Sequence, residues 1–254
     1  MIDYETASSF NAIETIRHGF FGRRGGASGD EFSSLNVSHS VGDDPQNVEK
    51  NRETVRDAMN AGSLTFLKQV HSARVETLTG PIAPATIEAD AMVTATPGLA
   101  LAILTADCTP ILFADPEAGI IGAAHAGWRG AVDGIVGNTI AAMVALGADP
   151  AHIRAAYGPT IHGKNYEVGE GFRSDFLTLH PGGESHFHTP PGGQPHFDLP
   201  GFVHAQLEAA GLSEIEPVGL CTYANPDLYF SHRYATHKGA KTGRQIAVIG
   251  MTQV

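Results

Sequence analysis

The feature that most constrains this chain is a set of apolar runs crowded near its middle. They are Leu99-Ala100-Leu101-Ala102-Ile103-Leu104, Ile111-Leu112-Phe113-Ala114 and Ile120-Ile121-Gly122-Ala123-Ala124. A strand with one wet face alternates apolar and polar residues, whereas an unbroken apolar run reads as a strand covered on both faces. A chain built on such strands must supply further layers to cover them. Asp115-Pro116-Glu117-Ala118-Gly119 joins the second run to the third and reads as a hairpin turn.

The remaining chain supplies candidates for those layers. Asp44-Pro45 opens a helix, with Asp as N-cap and Pro at the first position, that runs through Val48, Val55, Ala58 and Met59 to a stop at Gly62. Further helices are expected over residues 131–146, 169–179 and 199–210, and further strands over 91–94, 153–157, 215–220 and 245–250. Residues 65–78 read as extended, with His71 in the middle. The first 45 residues are rich in turn formers, and residues 181–195 read as a Pro- and Gly-rich surface loop. Strands mixed with helices and tight hairpins imply a mixed α/β (α+β) fold rather than a regular parallel alternation. With 254 residues, no repeat and no long linker, residues 1–254 are read as one domain.

A formal charge of −11 sets the surface against phosphate backbones, which argues against a nucleic-acid partner while leaving room for a locally basic pocket. No stretch approaches the roughly 20 apolar residues of a membrane helix, and the first 20 residues lack the pattern of a secretion signal. Two distant cysteines, Cys108 and Cys221, exclude a disulfide framework. The expected setting is therefore the reducing cytoplasm.

Three metal-capable side chains fall at the ends of the expected strands: His71 in Gln69-Val70-His71, Cys108 in Thr105-Ala106-Asp107-Cys108, and His125 in His125-Ala126-Gly127-Trp128-Arg129-Gly130. One thiolate and two neutral imidazoles suit zinc, at about 2.3 Å for sulfur and about 2.0–2.1 Å for nitrogen, with a fourth position left for catalysis. Their spacing matches no zinc finger and no His-Glu-x-x-His helix, and a lone His or Cys in an apolar strand is more often a packed core residue. Spacing alone leaves the ligand set open.

The chain resembles the YfiH family, also called laccase-domain or multicopper polyphenol oxidoreductase-like proteins, along nearly its whole length. The resemblance is carried by His18-Gly19-Phe20, Arg24-x-Gly26-x-Ser28, Ser34-Leu35-Asn36, Val41-Gly42-Asp43-Asp44, Asn51-Arg52 and the three segments around His71, Cys108 and His125. Ala89-Asp90-Ala91, Gly158-Pro159, Tyr166-Glu167-Val168, Phe197-Asp198-Leu199, Cys221-Thr222, Ser231-x-Arg233 and Thr242-Gly243-Arg244 carry it further. It implies a four-layer α/β/β/α sandwich with mixed sheets, of the cytotoxic necrotising factor/YfiH-like type, and a zinc held by His71, Cys108 and His125. It also implies phosphorolysis of purine nucleosides, methylthioadenosine included, and deamination of adenosine. The chain departs from the family pattern at Thr160-Ile161-His162-Gly163-Lys164-Asn165, where many relatives carry cysteine.

On that reading Asp107 is the candidate proton shuttle, with a turn-capping role as the plainer alternative. Arg129 is the candidate phosphate clamp, and Arg24 and Asn36 candidates for an anion or ribose site. Expected partners are purine nucleosides and phosphate, with the protein a monomer or weak homodimer. Copper fits less well than zinc. His186-Phe187-His188 is the one His-x-His pair, where a multicopper oxidase needs several, and the loop histidines are read as having no metal role. Trp128 reads as packing. The alternatives are a laccase-like polyphenol oxidase with copper, or a cysteine hydrolase with Cys108 as nucleophile activated by His125 or His71. The second alternative suits an editor of peptidoglycan precursors.

Overall fold

The computed structural model describes residues 2–212 and 214–252. In chain order its strands are Tyr4–Glu5 (β1), Ile16–Phe21 (β2), Leu64–Phe66 (β3), Val75–Thr77 (β4), Ala91–Thr94 (β5), Ala100–Thr105 (β6) and Thr109–Asp115 (β7). Ile120–Ala126 (β8), Arg154–Tyr157 (β9), Phe187–His188 (β10), His196–Phe197 (β11), Glu214–Pro217 (β12) and Gln245–Met251 (β13) follow. The helices are Ser8–Asn11 (α1), Pro45–Ala58 (α2), Trp128–Val132 (α3), Ile135–Ala145 (α4), Glu170–Leu179 (α5), Leu199–Ala209 (α6) and His232–Lys238 (α7).

The apolar runs form the middle of two mixed sheets, ordered β1-β2-β13-β6-β3 and β12-β9-β7-β8-β5-β4. Because side chains alternate along a strand, each run serves two cores at once. Leu101 and Ile103 of β6, with Phe20 and Ile249, meet Met92, Leu112, Ile121 and Ala123 of the other sheet. Ala100 and Ala102 turn the opposite way, towards Leu35, Val37, Val55 of α2 and Met59. On the far side of the second sheet, Val93, Ile111, Phe113 and Ala124 are covered by Ile135, Val136, Ile140 and Met143 of α4, with Phe176 of α5 and Phe202 of α6. Helix, sheet, sheet, helix: the layers are those of an α/β/β/α sandwich. Each fully buried Leu, Ile or Phe contributes roughly 1.5–3 kcal/mol, so the two-faced runs are where the fold is anchored.

The structure corrects several local expectations. Residues 65–78 are two short strands, β3 and β4, in different sheets, with an irregular crossing that carries His71 at φ +60°. The expected helix over 131–146 is α3 and α4, broken at Gly134, whose φ of +94° no helix can contain. The turn-rich N-terminal region holds β2, paired along β13 from Phe20↔Ala247 to Ile16↔Met251. The expected loop over 181–195 contains β10, which pairs with β11 just beyond it in a small antiparallel ribbon. Helix α7 was not expected from the sequence; Ser231 caps it through a hydrogen bond from Tyr234 N. Among the described residues no helix is long and apolar enough to cross a membrane.

Candidate metal centre

Strand pairing brings remote residues to one end of the central strands of the second sheet. β7 and β8 are antiparallel with Pro110 opposite His125, so Cys108, just before β7, lies beside the end of β8. The crossing between β3 and β4 delivers His71. The ligand atoms of His71, Cys108 and His125 all lie within 4.8 Å of one another, with Cys108 Sγ 3.9 Å from His71 Nε2. The two imidazoles meet edge to face at 4.8 Å between ring centres. His125 is buried, Cys108 half-buried and His71 exposed, so the centre opens to solvent on the His71 side.

Asp90, which the sequence reading left without a role, holds this arrangement together. Its side chain is fully buried and accepts five hydrogen bonds: Oδ1 from His71 N and His125 Nδ1, and Oδ2 from Val70 N, Ser72 N and Ser72 Oγ, at 2.6–3.1 Å. Its carbonyl also accepts from His125 N at 2.7 Å. A carboxylate can only accept, so His125 carries a proton on Nδ1; in the neutral ring this is the tautomer a metal requires, with the Nε2 lone pair facing the centre once the Nε2 proton is released. The same carboxylate fixes the His71 backbone in a left-handed conformation that costs on the order of 1–3 kcal/mol in a non-glycine residue. A charge in an apolar run must be paired, and that was the available signal for Asp90 in Ala89-Asp90-Ala91.

Asp107 lies in the turn between β6 and β7, also left-handed at φ +94°. Its Oδ1 accepts from Thr222 Oγ1 at 2.6 Å and its Oδ2 from Arg233 N at 2.7 Å. Its carbonyl accepts from Ile161 N and Thr160 Oγ1. The carboxylate thus ties the Cys108 turn to α7 and to the segment after β12. That geometry favours the turn-holding role over proton transfer.

The charges reinforce one another. Burial pushes the Cys108 thiol up, but His125 and His71 outweigh it and draw the thiol below its ordinary value. Burial lowers His125, yet Cys108 and Asp90 lift it above the usual imidazole range. Burial raises Asp90, and the donors from His125 and Ser72 bring it down well below an ordinary carboxyl. Each group thus favours the charged form of its neighbour.

One thiolate and two imidazoles at this separation fit a single zinc ion. Bond lengths of about 2.0–2.3 Å place tetrahedral ligands about 3.3–3.6 Å apart, so rings and thiol need to close by only about 1 Å. Gly127 leaves the room: a Cβ there would stand 2.8 Å from His71 Cδ2 and 3.2 Å from Cys108 Sγ. Gly130 lets α3 approach the same loop, since its Cβ would stand 2.8 Å from the Ser72 carbonyl oxygen. The glycines after His125 are thus required by contact rather than by turn geometry.

The other expected residues divide. Asn36 is fully buried and its amide is spent on Ser38, Asp43 and Arg244 N, so it has no group left for ribose or an anion; the expectation of direct contact is corrected to one of support for Arg244. Arg24 is exposed and its Nε donates to the Asp227 carbonyl at 2.9 Å; among the described residues no hydrogen bond joins it to the three ligands. Arg129 is exposed in α3, its guanidinium 5.0 Å from the Trp128 ring. Trp128 packs on Phe172 at 4.6 Å between ring centres. His186, His188 and His196 lie on or beside the β10–β11 ribbon. Among the described residues only His71, Cys108 and His125 form a three-residue group with converging ligand atoms. Arg233 donates its N–H to Asp107 beside Cys108, its guanidinium carbon stands 5.1 Å from the Tyr166 ring centre, and Arg244 lies alongside Ala106 by strand register. Each lay in a short motif of the resemblance, but without coordinates nothing tied these residues to Cys108.

Residues 17–252 match the family model described as multi-copper polyphenol oxidoreductase laccase. The chain is 43% identical over 230 residues to purine nucleoside phosphorylase ORF3 of Streptomyces griseus, covering 88% of this chain and 91% of that one. It is also 43% identical over 238 residues to a purine nucleoside phosphorylase of Deinococcus radiodurans, covering 93% and 89%. Among solved structures, the hypothetical protein YfiH of Bacillus licheniformis superposes with a TM-score of 0.89 at 31% identity, covering 99% of this chain and 97% of the other.

Proposed function

This chain belongs to the multi-copper polyphenol oxidoreductase laccase family, and from that premise we propose that it is a zinc-dependent purine nucleoside phosphorylase that also deaminates adenosine. The observation that carries the reading is the convergence of His71, Cys108 and His125 on one point, backed by Asp90 and open to solvent on one side. Copper oxidation of polyphenols needs several metal centres, whereas a single three-ligand group is found among the described residues.

His125 and His71 offer imidazole nitrogens and Cys108 a thiolate. Asp90 sets the His125 tautomer and the His71 backbone. A zinc ion bound there supplies Lewis acidity to a substrate oxygen or nitrogen. In phosphorolysis a phosphate oxygen bonds to C1′ of the ribose. The bond from C1′ to the base breaks, its electron pair leaves with the base, and the base takes up a proton, giving ribose 1-phosphate and free purine. Burial raises the Tyr166 phenol, so at neutral pH its hydroxyl keeps its proton and can donate a hydrogen bond at the edge of the site. Methylthioadenosine is proposed as a further substrate. We further propose a cytoplasmic setting, which the unbridged Cys108 and Cys221 support, and a monomer or weak homodimer.

The test is a panel of purine nucleosides, with and without phosphate, read by chromatography on protein of known metal content. Phosphate-dependent release of base with about one zinc per chain is the expected result. Cys108→Ala should lose both zinc and turnover while keeping its circular dichroism; a variant that retains both refutes the reading. A second reading is favoured by one observation. Cys108, His125 and Asp90 form a thiol–imidazole–carboxylate series in which the thiol is drawn towards thiolate, the arrangement of a cysteine hydrolase of the kind that could edit peptidoglycan precursors. Activity that persists after zinc removal and is abolished by iodoacetamide would select it.

A further inference from the structure

Arg233 and Arg244 both come to the Asp107–Cys108 turn through their backbones, and both guanidinium groups are anchored by backbone carbonyls rather than carboxylates. Arg233 donates its backbone N–H to Asp107 Oδ2 at 2.7 Å, its Nη1 donates to the Glu167 carbonyl, and its guanidinium carbon stands 5.1 Å from the Tyr166 ring centre. Arg244 directly precedes β13, whose first residue, Gln245, pairs with Thr105. Arg244 therefore lies alongside Ala106, two residues from Cys108. Its backbone is clamped on both sides, by Asn36 Oδ1 on its N–H and by Val37 N on its carbonyl. Its Nη1 is taken by the Thr242 and Gly243 carbonyls, which leaves Nε and Nη2 to point elsewhere. Among the described residues no carboxylate oxygen lies within ion-pair distance of either arginine.

Such a pair is conspicuous on a chain of net charge −11. Burial of the Arg244 guanidinium costs solvation, and the charges of Cys108 and Asp107 act on it across the site without contacting it. Burial, with the charges of Cys108 and Asp107, pushes the Tyr166 phenol up, and the Arg233 guanidinium beside its ring pulls the other way. A guanidinium held by one nitrogen on backbone, with its remaining N–H groups uncommitted, is ready for bidentate recognition of a tetrahedral oxyanion.

We propose that Arg233 and Arg244 form an oxyanion pocket beside the metal ligands, with the Tyr166 hydroxyl at its rim, and that this pocket holds the attacking phosphate. The assignment of the ligand as nucleophile rests on the phosphorolytic reading; the binding itself needs no turnover. The pocket, rather than Arg24 or Arg129, is then the anion site, and the buried Asn36 acts on it by holding Arg244.

The test measures binding of inorganic phosphate, and separately of ribose 1-phosphate, by calorimetry on metal-quantified wild type, Arg233→Gln, Arg244→Gln and Arg244→Lys. Arg56→Gln removes the same charge from an exposed position as a control. Both Arg→Gln variants should bind phosphate at least ~10-fold more weakly, the loss of one charge-assisted interaction. Arg244→Lys, which keeps the charge but not the fork, should fall between them and wild type. In kinetics the phosphate KM should rise with the Kd while the nucleoside KM moves less than about threefold. Zinc content and circular dichroism establish that each variant is folded, and Arg244→Lys decides if either Gln variant is not. Unchanged phosphate affinity in the Gln variants, or none in wild type, overturns the pocket. Phosphate binding that depends on both arginines without any release of base leaves the pocket standing and removes the phosphorolytic reading. Phosphate-dependent turnover with wild-type phosphate KM in the variants does the reverse.

Discussion

Replacing Asp90 by Asn changes one atom and leaves the shape of the side chain intact, so its effect isolates the hydrogen-bond pattern around the metal ligands. The carboxylate takes five donors in a fully buried position, and an amide can accept at only one of its two ends. If NH2 replaces Oδ2, it faces the Val70 and Ser72 N–H groups, and only the Ser72 hydroxyl can rotate to accept from it. If it replaces Oδ1, it faces His71 N and donates to His125 Nδ1, which drives the His125 proton onto Nε2 and blocks that nitrogen as a ligand. The first orientation leaves two part-buried donors without an acceptor and the second leaves one, His71 N, together with the wrong His125 tautomer; at about 1–3 kcal/mol per donor the total is roughly 1–6 kcal/mol, divided between fold stability and metal affinity. Groups that orient metal-binding histidines typically change affinity by about 10- to 100-fold. The assay is zinc competition against a chromophoric chelator, paired with urea unfolding in chelator and in excess zinc. Asp90→Asn should lose stability even in chelator, because in either orientation at least one backbone N–H of residues 70–72 loses its acceptor, and should lose more in zinc. Wild-type zinc affinity together with wild-type urea stability would refute the reasoning, since no orientation of the amide satisfies all five donors.

Three further outcomes follow from the same geometry. Gly127→Ala places a methyl 2.8 Å from His71 Cδ2 and 3.2 Å from Cys108 Sγ; it should fold, with a cost of about 1–3 kcal/mol appearing as weaker zinc binding, measured by the same competition. A chelator should lower the melting temperature of zinc-loaded wild type and leave that of Cys108→Ala unmoved, because only an ion bound to the native state stabilises it. His18 is buried, accepts the Ala7 N–H on Nε2 as a neutral ring, and is pushed by burial down to about 4. With its folded value below the unfolded 6.5, the native state binds fewer protons between these limits. His18 therefore contributes stability that is complete above about pH 6.5 and is lost as pH falls towards 4. Between pH 7 and pH 4.5 wild type should lose roughly 2 kcal/mol more than His18→Gln, whose amide oxygen accepts the same N–H without titrating. Equal losses in urea titrations would show that His18 is not neutral in the fold.

Local physics made much of this protein legible in advance. The uninterrupted apolar runs demanded strands covered on both faces, and Leu101 and Ala102 do face different cores. Asp44-Pro45 capped the helix it was expected to open, and the hairpin at Asp115 returned β8 onto β7. These signals are readable because burial periodicity and capping depend on residues a few positions apart. The candidate set of metal ligands was legible only through resemblance, since nothing along the chain joins His71 to Cys108 or His125.

What tertiary structure alone decided is which polar groups serve one another. Asp90 is unremarked in Ala89-Asp90-Ala91 until β5 pairs with β8 and sets it against His125 and the His71 loop. Asn36 reads as a binding residue until burial shows its amide exhausted on its own loop and on Arg244. Arg233 and Arg244 become neighbours of Cys108 only through Asp107 and the β13–β6 register. Composition and pattern determine which segments must be buried. Hydrogen bonds and charges act over a few ångströms, so the chemistry of the site belongs to contacts that exist only once the sheets have formed.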